Sequence, residues 1–125
     1  MDSLFKKYAA SLVNTIGNQT WNEVELLAQT MLTAWQGNKQ LFLCGNGGSA
    51  GNAIHLANDF LYGISSEISK PGLRVEALSA NAAVLTCLAN DIDYSEIFSE
   101  QLRVKADAKD LLIVLSGSGN SKNVV

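Results

Sequence analysis

A chain of 125 residues that is 47% apolar and 17% charged has the length and composition of one globular domain with a core of its own. A net charge of −3, with nine Lys and Arg scattered along the chain, leaves no electrostatic footprint for nucleic acid. No apolar run approaches the roughly 20 residues of a membrane span. The Met1–Lys7 segment lacks a signal-peptide core, so the expectation is a cytoplasmic protein that binds neither membrane nor nucleic acid.

Leu4, Tyr8, Leu12 and Ile16 fall at helical spacing and Gly17 fits a C-terminal stop, which predicts a helix over 3–16. Thr20-Trp21-Asn22-Glu23 reads as a capping box. Val24, Leu27, Met31, Leu32 and Trp35 then continue one apolar face as far as Gly37-Asn38. Residues 1–38 therefore read as a helical hairpin ahead of an α/β unit over 39–125, the two forming one domain. Two amphipathic helices in that position need cover. Helix pairing between subunits supplies it, and predicts a homo-oligomer.

A first strand is expected over 40–44, then a glycine loop and a helix over about 49–63. Pro71-Gly72 is a turn, and a second strand runs from Leu73 to Leu78. An Ala-rich helix over about 80–89 follows, and Asp93-Tyr94-Ser95-Glu96 resembles another helix start, with Ile97, Phe98 and Leu102 facing inward. The third strand is expected over 111–115. This β-α-β-α-α-β alternation, with near-continuous apolar strands, predicts an α/β fold whose parallel sheet is covered on both faces. Cys44 and Cys87 have no metal or redox spacing and read as small core residues.

Two loops carry the chemistry. Leu41–Cys44 runs into Gly45-Asn46-Gly47-Gly48-Ser49, and Leu111–Leu115 runs into Ser116-Gly117-Ser118-Gly119-Asn120-Ser121; both lead into sequence that reads as helix. A strand, a loop of small residues and a helix N-terminus make an anion site, because unpaired N–H groups gather where the helix dipole is positive. In parallel sheets such loops lie at the carboxyl ends of the strands, where ligands bind. A dinucleotide fingerprint fits poorly, since its ribose-binding acid is expected about 20 residues on, near the end of the next strand, and Glu76 lies farther away and inside that strand. A nucleotide P-loop fails because no Lys-Ser or Lys-Thr follows the glycines.

His55 and Asp59 are four apart on one helix face, with Asn52 and Tyr62, opposite a core stripe of Ala50, Ala53, Ile54, Ala57 and Leu61. They read either as a solvated i,i+4 pair or as a His and carboxylate placed to bind a metal or move protons. Asn90-Asp91 reads either as a helix C-cap and turn or as the edge of the same crevice.

Taken together, four blocks resemble the sugar isomerase (SIS) domain family, and within it the phosphoheptose isomerases. They are Cys44-Gly45-Asn46-Gly47-Gly48-Ser49-Ala50, His55-x-x-x-Asp59, Leu85-Thr86-x-x-x-Asn90-Asp91, and Ser116-Gly117-Ser118-Gly119-Asn120-Ser121. The resemblance implies a flavodoxin-like three-layer parallel sheet preceded by the helical hairpin, and a homotetramer or dimer with sites between subunits. The implied reaction is isomerisation of sedoheptulose 7-phosphate to D-glycero-D-manno-heptose 7-phosphate, on the way to cell-surface heptose. By the same resemblance Ser116, Gly117, Ser118 and Ser121 hold the phosphate. Asn46, Gly47, Gly48 and Ser49 approach from the other side, and Asn90 and Asp91 reach the sugar hydroxyls. His55 and Asp59 take the catalytic and zinc-binding positions.

The family places Glu where this chain has Asp59, a side chain shorter by one methylene, which draws a base back by about 1 Å. Gly117 stands where the heptose branch carries Thr. Members also continue well past the point where this sequence stops, through a C-terminal helix with a Gln and a His. The expectation is an N-terminal fragment of an isomerase, itself inactive or nearly so. The rivals are a non-catalytic SIS phosphosugar sensor or replication-initiator-associating scaffold, and a nucleotide-binding α/β module.

Overall fold

The computed structural model describes residues 2–65 and 70–125. It divides into two compact units, Met1–Thr30 and Met31–Val125. The division falls inside the second helix, whereas the sequence suggested residue 38. Met31 and Trp35 belong with the core around Leu41 and Leu43, and this draws the end of that helix into the α/β unit.

In the first unit α1 spans Asp2–Gly17, and α2 (Asn22–Gln36) begins. Trp21, one residue later than the expected cap Thr20, sits before the first helical residue and accepts Glu25 N–H at 2.9 Å. Leu4, Phe5, Tyr8, Leu12, Val13 and Ile16 of α1 are all exposed. The helical periodicity is real, and within the first unit that stripe finds no cover among the described residues.

The second unit is built on β1 (Gln40–Gly45), β2 (Arg74–Ala77) and β3 (Leu111–Leu115), ordered β2-β1-β3 and parallel throughout. The register pairs Leu41 with Val75 on one side and with Leu111 on the other. As the central strand, β1 is covered on both faces, and Leu41, Phe42, Leu43 and Cys44 are all buried. Alternation then sorts its side chains. Leu41 and Leu43 pack with Ala53, Leu56 and Phe60 on one face. Phe42 and Cys44 pack with Leu78, Ile97 and Phe98 on the other. The α/β expectation holds, with strand limits within about a residue.

The helix after the first loop is α3 (Gly48–Asn58), which widens into a π turn over Asp59–Gly63. Its buried side is Ala53, Leu56, Ala57 and Phe60, so the stripe drawn through Ile54 and Leu61 needs correction. Both of those residues are exposed, because the helix rests on the sheet one position further round than the sequence suggested. Phe60 O accepts Leu73 N–H at 2.8 Å, bringing the chain after Pro71 against this turn. At Gly72 a Cβ would lie 1.8 Å from Leu61 O, so only glycine passes there.

Next come α4 (Ala82–Asp91) and α5 (Ser99–Lys105). Asn81 caps α4 by accepting Val84 N–H, and Asp93 accepts Ser95 N–H to start a short 3-10 turn over Tyr94–Glu96. The expected helix start is therefore a turn that α5 follows. Cys87 is exposed on α4, not in the core, because Leu85, Leu88 and Ala89 form the side that packs inward. At the bottom of the sheet Asp110 accepts Asp107 N–H and Gln40 N–H, holding the start of β1 beside the entry to β3. These two N–H bonds, with the cations Lys39 and Arg74 nearby, keep its carboxyl below the ordinary range.

Candidate functional site

In this strand order the chain leaves β1 in one direction towards β2 and later returns to β1's other flank as β3. The crevice beyond the carboxyl ends of β1 and β3 is thus the topological switch point of the sheet. Both glycine/serine loops open there, since Gly45 and Leu115 are register partners.

The first loop is held by other segments. At Gly45 a Cβ would meet Leu115 O at 2.7 Å and Ser49 Cβ at 2.8 Å, so the close approach of strand and helix requires glycine. Ser79, just beyond β2, donates its hydroxyl to Gly45 O at 2.8 Å and accepts Gly45 N–H at 3.2 Å. Asn46 Nδ2 donates to Asn123 Oδ1, and Asn123 Nδ2 donates to Asn46 Oδ1, both at 2.8 Å. Tyr94 adds its hydroxyl to Asn46 Oδ1 at 3.0 Å. Gly47, with φ of 52°, turns the chain into α3, and Asn46 O accepts Ser49 N–H at 2.9 Å. The N–H groups of Gly47 and Gly48 make no hydrogen bond among the described residues. A cleft of about 230 Å³ lies beside this loop, bordered by Asn46, Gly47, Ser79, Thr86, Ala89 and Tyr94.

The second loop is fastened chiefly to itself. Ser116 Oγ accepts Gly119 N–H at 3.0 Å, and Ser118 Oγ accepts Asn120 N–H at 3.3 Å. Both hydroxyls keep a proton to donate. The N–H groups of Gly117, Ser118 and Ser121 have no partner among the described residues. Residues 122–124 are a turn, and Val125 N–H reaching Ser121 O at 3.1 Å is its one bond of helical spacing.

His55 Nε2 lies 3.5 Å from Asp59 Oδ2, with the His side chain 77% exposed. An exposed i,i+4 pair stabilises little. It supplies two of the three protein donors that a catalytic zinc takes. Among the described residues no group of three His, Cys, Asp or Glu is placed to hold a metal. Among the described residues, His55 and Asp59 are thus an incomplete ligand set for zinc.

Asn90 and Asp91 end α4. Asn90 Nδ2 donates to Asp91 Oδ1 at 2.8 Å and the Cys87 thiol lies 3.3 Å from Asp91 Oδ2, which together hold the Asp91 carboxyl below the usual range. The hydrogen bond and charge of Asp91 push the Cys87 thiol up. Neither Asn90 nor Asp91 borders the cleft beside the first loop. The chain thus brings the two loops together, while no hydrogen bond or ion pair among the described residues joins His55–Asp59 or Asn90–Asp91 to them.

Sequence reasoning missed Ser79, Tyr94 and Asn123. Their partners are 34, 48 and 77 residues away in sequence, beyond any local pattern. The usable signal was position: Ser79 and Asn123 each lie shortly after a strand's carboxyl end.

Residues 4–125 match the family model described as the SIS domain. The phosphoheptose isomerase of Chlorobium phaeobacteroides is 36% identical over 125 residues, covering 100% of this chain and 54% of that protein. That of Shewanella denitrificans is 40% identical over 102 residues, 82% of this chain and 51% of the relative. Among solved structures, a phosphoheptose isomerase from Francisella tularensis superposes with TM-score 0.86 at 27% identity, covering 98% of this chain and 64% of that one. The Neisseria gonorrhoeae phosphoheptose isomerase gives 0.77 at 31% identity, with 96% and 64% covered. The chain spans about half the length of the curated relatives it matches. With the family model covering nearly every residue and both loops at the switch point of the sheet, the chain belongs to the SIS domain family.

Proposed function

We propose that this chain forms the substrate-gripping part of a phosphosugar isomerase, whose whole converts sedoheptulose 7-phosphate to D-glycero-D-manno-heptose 7-phosphate. The observation that carries this reading is the pair of loops at adjacent strand ends, with unpartnered N–H groups in each. A phosphate dianion suits the serine loop, where Ser116, Ser118 and Ser121 hydroxyls and the Gly117 and Ser118 N–H groups can donate. The sugar then extends towards Gly47 and Gly48, along the cleft that Ser79, Thr86 and Tyr94 border.

Aldose–ketose isomerisation moves a proton between C1 and C2 through an enediolate. It needs a base within hydrogen-bond reach and a donor for the developing oxyanion. Asp59 is the carboxylate in the base position, with His55 Nε2 3.5 Å away. Both are open to water, which weakens a base's hold on a carbon acid. The expected behaviour of the 125-residue chain is binding with little or no turnover. The exposed apolar stripe of α1 fits pairing with another copy of the chain, which we take to be a dimer or tetramer in the cytoplasm. No helix among the described residues is long and apolar enough to cross a membrane.

Thermal unfolding with added ligands tests the proposal. Sedoheptulose 7-phosphate should raise the midpoint, while NAD and ATP should not, and zinc alone should leave it unchanged. Protection by ATP and not by sugar phosphate would sink the reading in favour of a nucleotide module. A second reading, a non-catalytic phosphosugar sensor or scaffold, draws support from the exposed His55 and the shorter Asp59. An isomerase assay on a longer version of the chain separates the two, since a sensor would bind without turnover at any length.

A further inference from the structure

The side chain of Asn46 is almost fully spent inside the protein. Its Oδ1 accepts from both Tyr94 and Asn123, and its Nδ2 gives one of two protons to Asn123. An amide oxygen has two lone pairs, so a single N–H remains for any ligand. Asn123 is 6% exposed and partners Asn46 in a closed two-bond pair. Its own segment turns back on the second loop through Val124 N–H to Ser121 O at 2.8 Å. Tyr94 comes from a third segment, whose entry is fixed by Asp93 accepting Ser95 N–H.

We propose that Asn123 and Tyr94 are positioning residues for the first loop: they hold the Asn46 amide so that loop and serine loop form one rigid cradle. This rests on the phosphosugar reading for its ligand, though not for its geometry. A ligand touching both loops benefits from the pre-set spacing. An ion small enough to sit on the serine loop alone gains nothing from it. Asn46 is thereby a strut, and the ligand-facing groups of the first loop are the N–H groups of Gly47 and Gly48.

Two variants and two readouts test this on the 125-residue chain. Asn123→Ala removes both bonds to Asn46, whereas Tyr94→Phe removes one and keeps the ring. Calorimetry compares sedoheptulose 7-phosphate with inorganic phosphate. The expected result is an affinity for the sugar phosphate about tenfold weaker in Asn123→Ala and about threefold weaker in Tyr94→Phe, with inorganic phosphate changed less than about twofold. Amide hydrogen exchange at Ser49, Ala50 and Gly51, whose N–H groups bond back into the first loop, should quicken in both variants, with Leu43 and Cys44 unchanged. Exchange at those three amides left unchanged in both variants overturns the proposal, as does an equal loss of affinity for both ligands. Should Asn123→Ala also lose protection at Leu43, Tyr94→Phe alone decides. If the unmodified chain binds neither ligand, the phosphosugar reading fails, and the exchange data still decide whether the strut exists.

Discussion

The two loops at the top of the sheet look alike in sequence but are held in opposite ways. The first is clamped from outside, by Ser79 on the Gly45 backbone and by Tyr94 and Asn123 on the Asn46 amide. The second is tied internally, by Ser116 and Ser118 to N–H groups two or three residues on. The difference shows that small residues serve separate purposes in the two places. Gly45 is required by the crowding around it, whereas a Cβ on Gly117 would meet nothing within 4 Å. One loop comes pre-set by the fold. The other is tied within itself, and its hydroxyl protons and the N–H groups of Gly117, Ser118 and Ser121 are left for an anion.

The largest expected effect breaks the first loop. Gly45→Ala forces a methyl group into Leu115 O and Ser49 and should cost about 3 kcal/mol of unfolding free energy, read from urea denaturation. Gly117→Ala should stay within about 0.5 kcal/mol in the same experiment. Comparable losses would mean that the two loops are equally constrained. Ser79→Ala comes next, because it strips a donor and an acceptor from the Gly45 peptide, and should cost about 1–2 kcal/mol.

Ser118→Ala reverses the balance. Stability should change by less than about 0.5 kcal/mol, while inorganic phosphate binding weakens about threefold in calorimetry. The smallest effect lies at the other end of the same strands. Asp110 has its pKa lowered in the folded chain, so its stabilisation is complete above the unfolded carboxylate value near about pH 4 and is lost as pH falls through the lower folded value. The gap in melting temperature between the unmodified chain and Asp110→Asn should accordingly narrow below about pH 4. A gap constant down to about pH 2 would show that Asp110 carries no folded-state shift.

Most of the α/β architecture was legible because buried parallel strands advertise themselves as unbroken apolar runs, as Leu41–Cys44 and Leu111–Leu115 do. Asn81 and Asp93 mark helix and turn starts through their own short side chains. What escaped was non-local or a matter of helix rotation. Cys87, Ile54 and Leu61 look like core residues by type, and only the sheet decides which side of a helix meets it. The π turn over Asp59–Gly63 has no signature distinct from an α-helix at this length. The candidate site was half legible. Its loops follow from composition, but the asparagine pair linking residues 46 and 123 exists only once three strands are in place.

The central position of β1 has a consequence for how the protein is made. Both neighbours of β1 are synthesised after it, and Gln40 meets Asp110 across 70 residues of sequence. A nascent chain that has just released β2 therefore holds only one of the two strands that flank β1. Closing the other edge of β1 waits for β3 to clear the ribosome. Long-range parallel pairing is intrinsically slow, and an unpaired strand edge is a template for other chains until it closes. Within this sheet, β1 is covered on both edges only once β3 has been made.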